Sequence, residues 1–522
     1  MFLVRKRKSK IYLLCKKLLI LRGNMKLNIF LDEKKTVAIV CNQWGDTGKG
    51  KFVDYFAKWA DIIARGTGEA NAGHTIILNN KKYVFHLVPS GILYDSLGKI
   101  NVVGRGVAFD PRAFIEELNI LDKENMTYNN LKISLNAKLI LPCHILFDRL
   151  KESNAGANKI GTTGRGIGPI YVDHYDRKGL TVNDMLNKSL FEKKLKKNIT
   201  ENLSLLKNYD KEMIKTILMH SHLENGAFYN EETILDIPQI INYYTENYAD
   251  KLRKYICDAE EFLRENVHKK KILLEGAQGL LLSVDHGSYP YVTSCDTTIS
   301  GLTKGVGLSE KDVDLNLGIV KAFYMTRVGQ GPFPTEMGGE LSDKHCSSNT
   351  KDTERATYPN ASLNSEDELQ LGIAVRYIGQ EYGATTGRPR RTGWLDLPLL
   401  RRATITNGPD IILTKVDVLN DAKKIKLCTE YEYNGDNYYY GDKLIKKGDK
   451  IKIAIVDSLI LGRCKPIYKE FPGWLSEIKN IKEYKDLPQN LKNIVEYIEK
   501  DCNVNVRIIS VGAERDETII KG

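Results

Sequence analysis

The sequence predicts an α/β protein with one large central, mostly parallel sheet and helices on both of its faces. Short continuous apolar runs, at residues 36–41, 272–274 and 411–413, are typical of strands that are buried on both faces. Each run leads into a polar turn, and stretches with helical periodicity lie between the runs. Because the carboxyl ends of parallel strands meet at one edge of a sheet, we expect a ligand site at that edge.

The composition is that of a globular protein without a strongly charged surface. With 522 residues, of which 42% are hydrophobic and 27% charged, the chain can bury a large core and has room for two to four domains or one very large sheet. The net charge of +11 would suggest a nucleic-acid or membrane partner if it were spread over the whole surface. Residues 1–35 hold eleven Lys or Arg and only two acids, which leaves a net charge of about +2 on residues 36–522. We therefore expect no nucleic acid and no membrane among the partners.

Residues 1–35 form a basic N-terminal extension, for which three interpretations remain open. Lys16 and Lys17 interrupt its apolar run, which is too short for a membrane span and poor as the core of a signal peptide. Its few acids suit an organelle transit peptide, but it is short of Ser, and Met25 offers a second start of translation. The extension is therefore a targeting segment, a disordered tail or a mis-assigned start.

The cysteines indicate a reducing environment. Nine cysteines are scattered along the chain, and no two of them form a Cys-x-x-Cys pair. This spacing predicts neither a disulfide framework nor a zinc site. We expect a cytoplasmic protein, with organelle targeting by the extension as the alternative.

The first polar turn follows residues 36–41 and precedes a helix-like stretch. Its glycines let backbone N–H groups turn toward an anion, and its lysines supply positive charge. The residues of this possible phosphate cradle are Gly45, Gly48, Lys49, Gly50 and Lys51. Phe52 stands where a Walker A loop requires the Ser or Thr that binds magnesium, so the turn is not an ordinary P-loop. Taken alone, it is either a nucleotide site or a glycine-rich turn with surface lysines.

Residues 64–75 form a second glycine-rich stretch, which ends in His74 and Thr75 and leads into a predicted hairpin with its turn near Asn80. A histidine on a glycine-flanked loop is more available for chemistry than one on an apolar face. An isolated histidine in such a loop is nevertheless more often structural or solvated than catalytic. A catalytic role for His74 therefore depends on a phosphate site nearby.

A third glycine-rich stretch, residues 160–171, contains two hydroxyl side chains and a guanidinium group in Thr162, Thr163 and Arg165. Backbone amides, hydroxyls and an arginine can together enclose a phosphate monoester. The alternative is a flexible connection, but the density of hydrogen-bond donors favours the binding site.

The remaining segments alternate between helices without chemistry and candidate functional turns. Asp110 and Pro111 predict the start of a helix. Residues 180–270 are rich in Lys and Glu with helical periodicity, which predicts solvated amphipathic helices. The strand at 272–275 runs on to Gln278 and then to Thr293, at the edge where a ligand is expected. Residues 337–370 are polar and irregular, which predicts an insertion or a mobile loop.

Two turns near the carboxyl end of the chain point to anionic and guanine ligands. Residues 383–394 place three arginines between glycines, which favours an anion site over a solvated basic loop. The strand at 411–414 leads to Lys415 and Asp417. An aspartate there can accept hydrogen bonds from N1–H and from the 2-amino group of guanine, a pairing that adenine cannot offer.

Taken together, five motifs resemble the adenylosuccinate synthetase family, in order from about residue 36 to residue 519. They are Gln-Trp-Gly-Asp-x-Gly-Lys-Gly-Lys, Asn-Ala-Gly-His-Thr, Ile-Gly-Thr-Thr-Gly-Arg-Gly-Ile-Gly-Pro, Glu-Gly-Ala-Gln-Gly and Thr-Lys-x-Asp. The resemblance implies a P-loop-NTPase-like fold with smaller subdomain insertions, in a catalytic domain that spans residues 36–522. It also implies a homodimer that uses magnesium and GTP to join IMP and L-aspartate. The products would be adenylosuccinate, GDP and phosphate, formed through 6-phosphoryl-IMP, in the first committed step from IMP to AMP.

The resemblance also implies a role for individual residues. Asp46 would be the general base and, with the Gly73 carbonyl, a magnesium ligand, while His74, Lys49 and Gln278 would complete the catalytic group. The GTP residues would be Gly45, Gly48, Gly50, Lys51, Thr75, Lys415, Asp417, Ser510 and Gly512. The IMP residues would be Asn71, Thr162, Thr163, Gln278, Thr293 and, from the partner subunit, Arg177. The aspartate residues would be Thr386, Arg388 and Arg390.

The sequence departs from the family pattern near the predicted base and in the IMP loop. Thr47 replaces the usual glutamate after Asp46, which removes a negative charge, and Ala70 stands where many members have histidine. Cys295 and Asp296 replace a Ser-Asn pair. Two alternatives to the ligase therefore remain, a guanine-nucleotide switch and a catalytically weakened relative. The arginine-rich turn, residues 383–394, and the loop at 160–171 favour the ligase, because a switch does not need binding sites for IMP or for a dicarboxylate.

Overall fold

A ten-stranded sheet runs through the described part of the protein and carries the functional turns on one edge. The computed structural model describes residues 25–70, 73–78, 81–156, 160–221, 227–228, 230–383 and 387–521. The strands are β1 Thr36–Cys41, β2 Ile62–Arg65, β3 His74–Leu78, β4 Lys81–Phe85, β5 Ile100–Val103, β6 Ala108–Phe109, β7 Leu131–Ser134, β8 Lys138–Leu139, β9 Ile256–Cys257, β10 Ile272–Glu275, β11 Leu315–Lys321, β12 Tyr324–Arg327, β13 Arg391–Asp396, β14 Asp410–Thr414, β15 Lys424–Tyr433, β16 Tyr438–Tyr440, β17 Lys443–Ile445, β18 Lys450–Ile451, β19 Cys464–Pro472, β20 Asn505–Ser510 and β21 Thr518–Ile520.

The α-helices lie between these strands, and a helical segment at residues 25–30 precedes β1. They are α1 Lys49–Ala57, α2 Pro111–Lys123, α3 Pro142–Asn154, α4 Ile167–Tyr175, α5 Lys188–Leu206, α6 Lys211–Ser221, α7 Glu231–Leu235, α8 Ile237–Tyr244, α9 Asp250–Leu252, α10 Ala259–Asn266, α11 Ile299–Gly305, α12 Gly339–Ser348, α13 Lys351–Thr357, α14 Glu368–Gly379, α15 Leu397–Asn407, α16 Ser458–Leu461 and α17 Gln489–Cys502.

The strand order of the large sheet is β21-β20-β14-β11-β1-β10-β2-β5-β7-β9, and only the pair β20/β21 is antiparallel. This order confirms the predicted α/β class with a mostly parallel central sheet. A second, mixed sheet joins β12, β13, β15, β18 and β19, and the hairpin β3/β4 forms where the sequence predicts one.

The core explains why β1 is continuously apolar. Val37 and Ile39 pack with α1 on one face of the sheet, in a cluster that includes Phe52 and Phe56. Ala38 and the rest of the opposite face pack against α10 and α11. All six residues of β1 are buried, because helices cover both faces of the sheet.

The helices predicted between residues 180 and 270 form and contribute to the largest core cluster. The apolar faces of α5 and α8 pack with those of α2 and α3 in that cluster. The predicted start of α2 is also present, because the Asp110 carboxylate accepts hydrogen bonds from the backbone N–H groups of Arg112 and Ala113 at 3.1 and 3.2 Å. No helix of the described residues is long and apolar enough to cross a membrane.

The predicted extension and the polar segment at 337–370 can be placed only in part. Residues 1–24 lie outside the described residues. Leu27 and Leu31, which belong to the predicted extension, are buried in the same cluster as Phe52. The segment at 337–370 contains α12 and α13, which the irregular sequence pattern does not predict. A capping box at Thr350 and Thr353 starts α13.

Asp396 provides a test of the packing at the junction of β13 and α15. Its carboxylate accepts hydrogen bonds from the Tyr431 hydroxyl at 2.6 Å and from the Leu399 backbone N–H at 3.0 Å. Burial raises the pKa of Asp396 from its ordinary value of 3.8 to about 7. The folded protein therefore holds this proton more tightly than the unfolded chain does, and stability is lost as the pH rises from about 4 to about 7.

We expect Asp396→Asn to gain stability relative to the wild type by roughly 1 kcal/mol per pH unit across that interval. Urea denaturation midpoints measured between pH 5 and pH 8 would show the gain. Asp442→Asn, at an exposed position, is the matched control and should show no such trend. A constant difference between Asp396→Asn and the wild type across this pH range would contradict the assignment.

Candidate active site

A cleft of about 2030 Å³ opens at the carboxyl edge of the central sheet. It is lined by segments that follow β1, β10 and β14 and by loops between helices. The predicted site residues that line it are Gly45, Asp46, Gly48, Lys49, Gly50, Lys51, Gly73, His74, Thr75, Thr162, Thr163, Gln278, Thr293, Arg388, Arg390, Lys415, Asp417, Ser510 and Gly512. Asn71 and Thr386 lie outside the described residues. The fold therefore brings nearly all of the predicted site residues that it describes into one space.

The glycine-rich turn after β1 is held in a conformation that most residues avoid. Gly48, which precedes α1, has a φ of 84°, and Asp46 has a φ of 53°. A side chain at Gly50 would place its Cβ atom 2.4 Å from the Thr75 carbonyl oxygen. The turn is thus packed directly against the start of β3, which carries His74.

Lys49 ties this turn to the segment after β10. Its Nζ atom donates a hydrogen bond to the backbone carbonyl of Gln278. Burial lowers the pKa of Lys49 below its ordinary value. The bond places a cation between the two turns, on the wall of the cleft.

Asp46 lies in the cleft as an ionised carboxylate. Arg390 Nε lies 3.2 Å from Asp46 Oδ2, and 41% of the Asp46 side chain is accessible. Partial burial opposes its charge, but Arg390, Lys321 and Lys415 outweigh that effect and hold the pKa of Asp46 well below its ordinary value. Arg390, a residue of the arginine-rich turn, therefore contacts Asp46, the predicted general base.

His74 is oriented by a buried carboxylate that the sequence analysis missed. His74 Nδ1 is hydrogen-bonded to Glu275 Oε1, and the Ser90 backbone N–H and hydroxyl donate to the same carboxylate at 2.9 and 2.8 Å. Burial opposes the Glu275 charge, but His74 and Arg65 lower the pKa of Glu275 to about 2. An ionised carboxylate can only accept, so we place the proton of neutral His74 on Nδ1. Nε2 is buried and has no hydrogen-bond partner among the described residues.

Gln278 and Thr293 meet at a second buried carboxylate. The Gln278 side-chain amide donates to Glu69, and Thr293 Oγ1 lies 3.5 Å from Glu69 Oε1. Cys295, one of the departures from the family pattern, donates its thiol to the same oxygen at 3.1 Å. Glu69 is fully buried and was not a predicted site residue. It connects two predicted IMP residues to one another.

The loop at 160–171 is anchored so that its threonines face the cleft. Gly166 precedes α4 and donates its backbone N–H to Asp148 at 2.9 Å. The Gly164 carbonyl accepts a hydrogen bond from Arg149 at 3.1 Å. Arg177 follows α4 on the exposed surface and does not line the described cleft.

Lys51 joins the glycine-rich turn to the predicted guanine residues. Its Nζ atom donates to Ser510 Oγ at 2.7 Å, to the Gly512 carbonyl at 2.8 Å and to the Glu517 carbonyl at 3.0 Å. Burial lowers the pKa of Lys51 to about 7. The structure thus places Lys51 beside the residues of the predicted guanine pocket.

Lys415 is held by Glu381, another residue that the sequence analysis missed. Lys415 has a φ of 56°, and its Nζ atom donates to Glu381 Oε1 at 2.7 Å and to the Gly379 carbonyl at 2.8 Å. The same carboxylate binds buried Lys321 at 2.5 Å. Burial raises the pKa of Asp417, two residues further along the chain. Glu381 therefore links the Lys-x-Asp turn to the start of the arginine-rich turn.

The donor set in the cleft suits a hard cation held by few protein ligands. No group of three or more His, Cys, Asp or Glu side chains within the described ranges could hold a metal ion. Asp46 supplies an ionised carboxylate, and Gly73 lines the same cleft. One carboxylate with a backbone carbonyl fits Mg²⁺, which keeps several waters and binds phosphate oxygens.

Known proteins resemble this chain over almost its full length. The family model described as adenylosuccinate synthetase matches residues 38–519. Adenylosuccinate synthetase from Halothermothrix orenii is 42% identical over 484 residues, which are 92% of this chain and 97% of that protein. Adenylosuccinate synthetase from Clostridium novyi is 40% identical over 484 residues, with the same two coverages. The structure of fully ligated adenylosuccinate synthetase from Plasmodium falciparum matches with a TM-score of 0.74 at 34% identity, covering 93% of this chain and 99% of that one.

The contact between His74 and Glu275 predicts how the histidine titrates. Burial, together with the charge of Arg65, lowers the pKa of His74 from 6.5 to about 4, while Glu275 opposes this shift. We therefore expect His74 to be neutral at pH 7, and Glu275→Gln to lower its pKa further because the nearby negative charge is lost. NMR titration of ¹³C-labelled histidines would measure both values, with His74→Asn identifying the resonance. A His74 resonance that titrates near pH 6.5 would contradict the structure.

Proposed function

The chain belongs to the adenylosuccinate synthetase family, and we propose that the residues of its cleft carry out the reaction of that family. The reaction joins IMP and L-aspartate at the expense of GTP and yields adenylosuccinate, GDP and phosphate, on the route from IMP to AMP. The assignment of residues rests on one observation. A single cleft contains the glycine-rich turn with Asp46, the loop at 160–171, the arginine-rich turn and the Lys-x-Asp turn. A guanine-nucleotide switch would need only the first and the last of these.

We assign the first step to Asp46. The 6-oxygen of hypoxanthine is a poor leaving group, so it has to be phosphorylated before an amine can replace it. Asp46 would take the N1 proton, the 6-oxygen would attack the γ-phosphorus, and GDP would leave. The amine of aspartate would then attack C6 of 6-phosphoryl-IMP, lose a proton and expel phosphate. The ionised state of Asp46 supports this role, because only the carboxylate can accept the proton.

His74 and Lys49 would stabilise the charge that develops on the γ-phosphoryl group. His74 Nε2 can donate a hydrogen bond only after the ring takes up a second proton. Negative phosphate oxygens nearby would favour that proton, and Glu275 on the opposite nitrogen would stabilise the resulting imidazolium. Lys49 would add a positive charge from the wall of the cleft.

Magnesium would be held by Asp46 and the Gly73 carbonyl, together with phosphate oxygens. When bound, the ion would neutralise charge on the β- and γ-phosphates. Arg390 contacts the same Asp46 carboxylate, so the arginine-rich turn and the metal site share one residue. The charges of Arg388 and Arg390 would also bind the carboxylates of the amino-acid substrate, and the motif match assigns Thr386 to the same subsite.

The remaining subsites are assigned by the match of their motifs to those of the family. Thr162, Thr163, Gln278 and Thr293 would bind IMP together with Asn71, and Lys415, Asp417, Ser510 and Gly512 would form the guanine pocket. Gly45, Gly48, Gly50, Lys51 and Thr75 would line the GTP phosphates. Arg177 is exposed outside the cleft, which supports a homodimer in which it reaches the IMP phosphate of the partner subunit. We also propose a cytoplasmic location, with organelle targeting by residues 1–35 as the alternative.

Replacement of Asp46 by Asn tests the assigned base. With IMP, aspartate, GTP and Mg²⁺ all present, we expect the wild type to form adenylosuccinate, measured by its absorbance change, and to stop when any one of the four is omitted. Asp46→Asn should lower kcat by about 10²- to 10⁴-fold, because the amide cannot accept the N1 proton. Asp442→Asn, at an exposed position, should leave kcat unchanged. Retained turnover in a folded Asp46→Asn enzyme would exclude Asp46 as the base.

Replacement of Asp417 by Asn tests the guanine pocket. The carboxylate accepts from N1–H and the 2-amino group of guanine, whereas an asparagine amide can donate to the 2-oxygen of xanthine. We expect the ratio of kcat/KM for GTP to that for xanthosine triphosphate to fall by about 10- to 100-fold. Asp421→Asn, four residues along and exposed, is the control and should keep the wild-type ratio. An unchanged ratio in Asp417→Asn would remove this residue from the pocket.

A further inference from the structure

Two helices of the segment at 337–370 lie beside the arginine-rich turn, which connects α14 to β13. Cys346 and Ser347, at the end of α12, line the cleft together with Gln380 and Tyr382. The segment therefore forms part of the wall of the cleft, together with Arg388 and Arg390.

Glu354 on α13 is the centre of these contacts. Its carboxylate accepts hydrogen bonds from Arg376 Nε at 2.8 Å and from the Tyr382 hydroxyl at 2.7 Å. His345 Nε2 lies 3.0 Å from Glu354 Oε1. Glu354 and Arg376 are both fully buried. One buried carboxylate thus connects α12, α13 and α14 to the residue that precedes the arginine-rich turn.

Tyr382 is coupled to the two predicted aspartate-binding arginines through the backbone of the turn. Tyr382 and Pro389 form an isolated antiparallel bridge. On either side of it, the Gly383 N–H donates to the Arg388 carbonyl at 2.8 Å, and the Arg390 N–H donates to the Glu381 carbonyl at 2.9 Å. A shift of Tyr382 would therefore displace the backbone of both arginines.

The segment also contacts the middle and the end of the turn. The Lys351 N–H donates to the Gly387 carbonyl at 3.3 Å, and Lys351 Nζ donates to Gln380 Oε1 at 2.8 Å. At the end of the turn, Arg391 lies 3.4 Å from Asp343 of α12 and also pairs at 2.5 Å with Glu336, the residue before the segment. The segment holds the turn at both ends, and Glu354 supplies the most deeply buried of these contacts.

We propose that Glu354 is a positioning residue for the amino-acid substrate. Through the Tyr382 hydroxyl and Arg376, it fixes the start of the arginine-rich turn so that Arg388 and Arg390 can meet the two carboxylates of aspartate. A buried, multiply bonded carboxylate has one low-energy arrangement, which it imposes on its partners. The proposal rests on the proposed assignment of Arg388 and Arg390 to aspartate.

Tyr382→Phe is the most direct test, because it removes one hydroxyl and leaves the buried pair of Glu354 and Arg376 intact. We expect KM for aspartate to rise about tenfold, while KM for IMP and KM for GTP stay unchanged. Tyr377→Phe is the matched control, since Tyr377 lies on α14 with 46% of its surface exposed. It should behave as the wild type. A lower apparent kcat with all three KM values unchanged would show that the hydroxyl only stabilises the fold, and would overturn the proposal.

The double variant Glu354→Ala/Tyr382→Phe separates action through Glu354 from direct contact with the substrate, because alanine cannot accept the hydrogen bond from Tyr382. If the hydroxyl acts through Glu354, the double variant will have the same KM for aspartate as Glu354→Ala alone. Multiplied effects, or an unchanged KM for aspartate in Tyr382→Phe, would overturn the proposal.

Arg388→Leu distinguishes this failure from failure of the function on which it rests. If Arg388→Leu raises KM for aspartate and Tyr382→Phe does not, the arginine-rich turn keeps its assignment and Glu354 loses its role. If Arg388→Leu leaves KM for aspartate unchanged, the assignment of the turn to aspartate fails, and the role of Glu354 fails with it.

Discussion

The parallel pairing of β1 between β10 and β11 is the constraint on which the cleft depends. Thr36 pairs with Ile272 on one side, and Val37 pairs with Leu315 on the other. All three strands therefore end at the same edge, although more than two hundred residues separate β1 from its partners. The glycine-rich turn and the segment that contains Gln278 become neighbours because of this register. Hydrogen bonds at the edge then fix their relative position, as when the Thr414 hydroxyl donates to the Thr47 carbonyl at 2.9 Å.

Charge at this edge is arranged in partly neutralised pairs. Glu275 faces His74 and Arg65, and Glu381 faces Lys321 and Lys415. Each carboxylate is buried, and its charge would be costly without a cation nearby, which is Arg65 for Glu275 and a lysine for Glu381. These contacts fix the side chains around the cleft, so the groups that we assign to substrate binding would need little rearrangement by their neighbours. Preorganisation of this kind is the usual source of electrostatic stabilisation in enzymes.

The sequence predicted the parts of the fold that have a local signature. Buried strands such as β1 are recognisable in the sequence as continuous apolar runs. Asp110 and Pro111 indicate the start of α2. For the glycines and lysines of the first turn the sequence offered a phosphate site as one of two interpretations, and the structure places this turn in the cleft. The helices α12 and α13 were not predicted, because they are short and polar and depend on contacts with Arg376 and Arg391.

The residues that sequence reasoning missed are the buried carboxylates behind the first layer of the site. Glu69, Glu275 and Glu381 each contact a predicted site residue, but a lone glutamate beside a strand or turn has no distinguishing pattern. Glu275 and His74 are 201 positions apart, so only the folded chain shows that they form a pair. Glu275 did have one available signal, since it belongs to the Glu-Gly-Ala-Gln-Gly motif that also contains Gln278.

Thr47, which replaces the glutamate of the family pattern, is buried beside Asp46. The fold uses the backbone of this residue, whose carbonyl accepts the hydrogen bond from Thr414, while the hydroxyl is buried without a hydrogen-bond partner in the described part of the chain. Asp46 keeps its left-handed conformation beside it. Without a second carboxylate at position 47, the cations that stabilise ionised Asp46 face one negative charge fewer. The loss of a charge at this position would therefore act on the basicity of Asp46 and on its contact with Arg390.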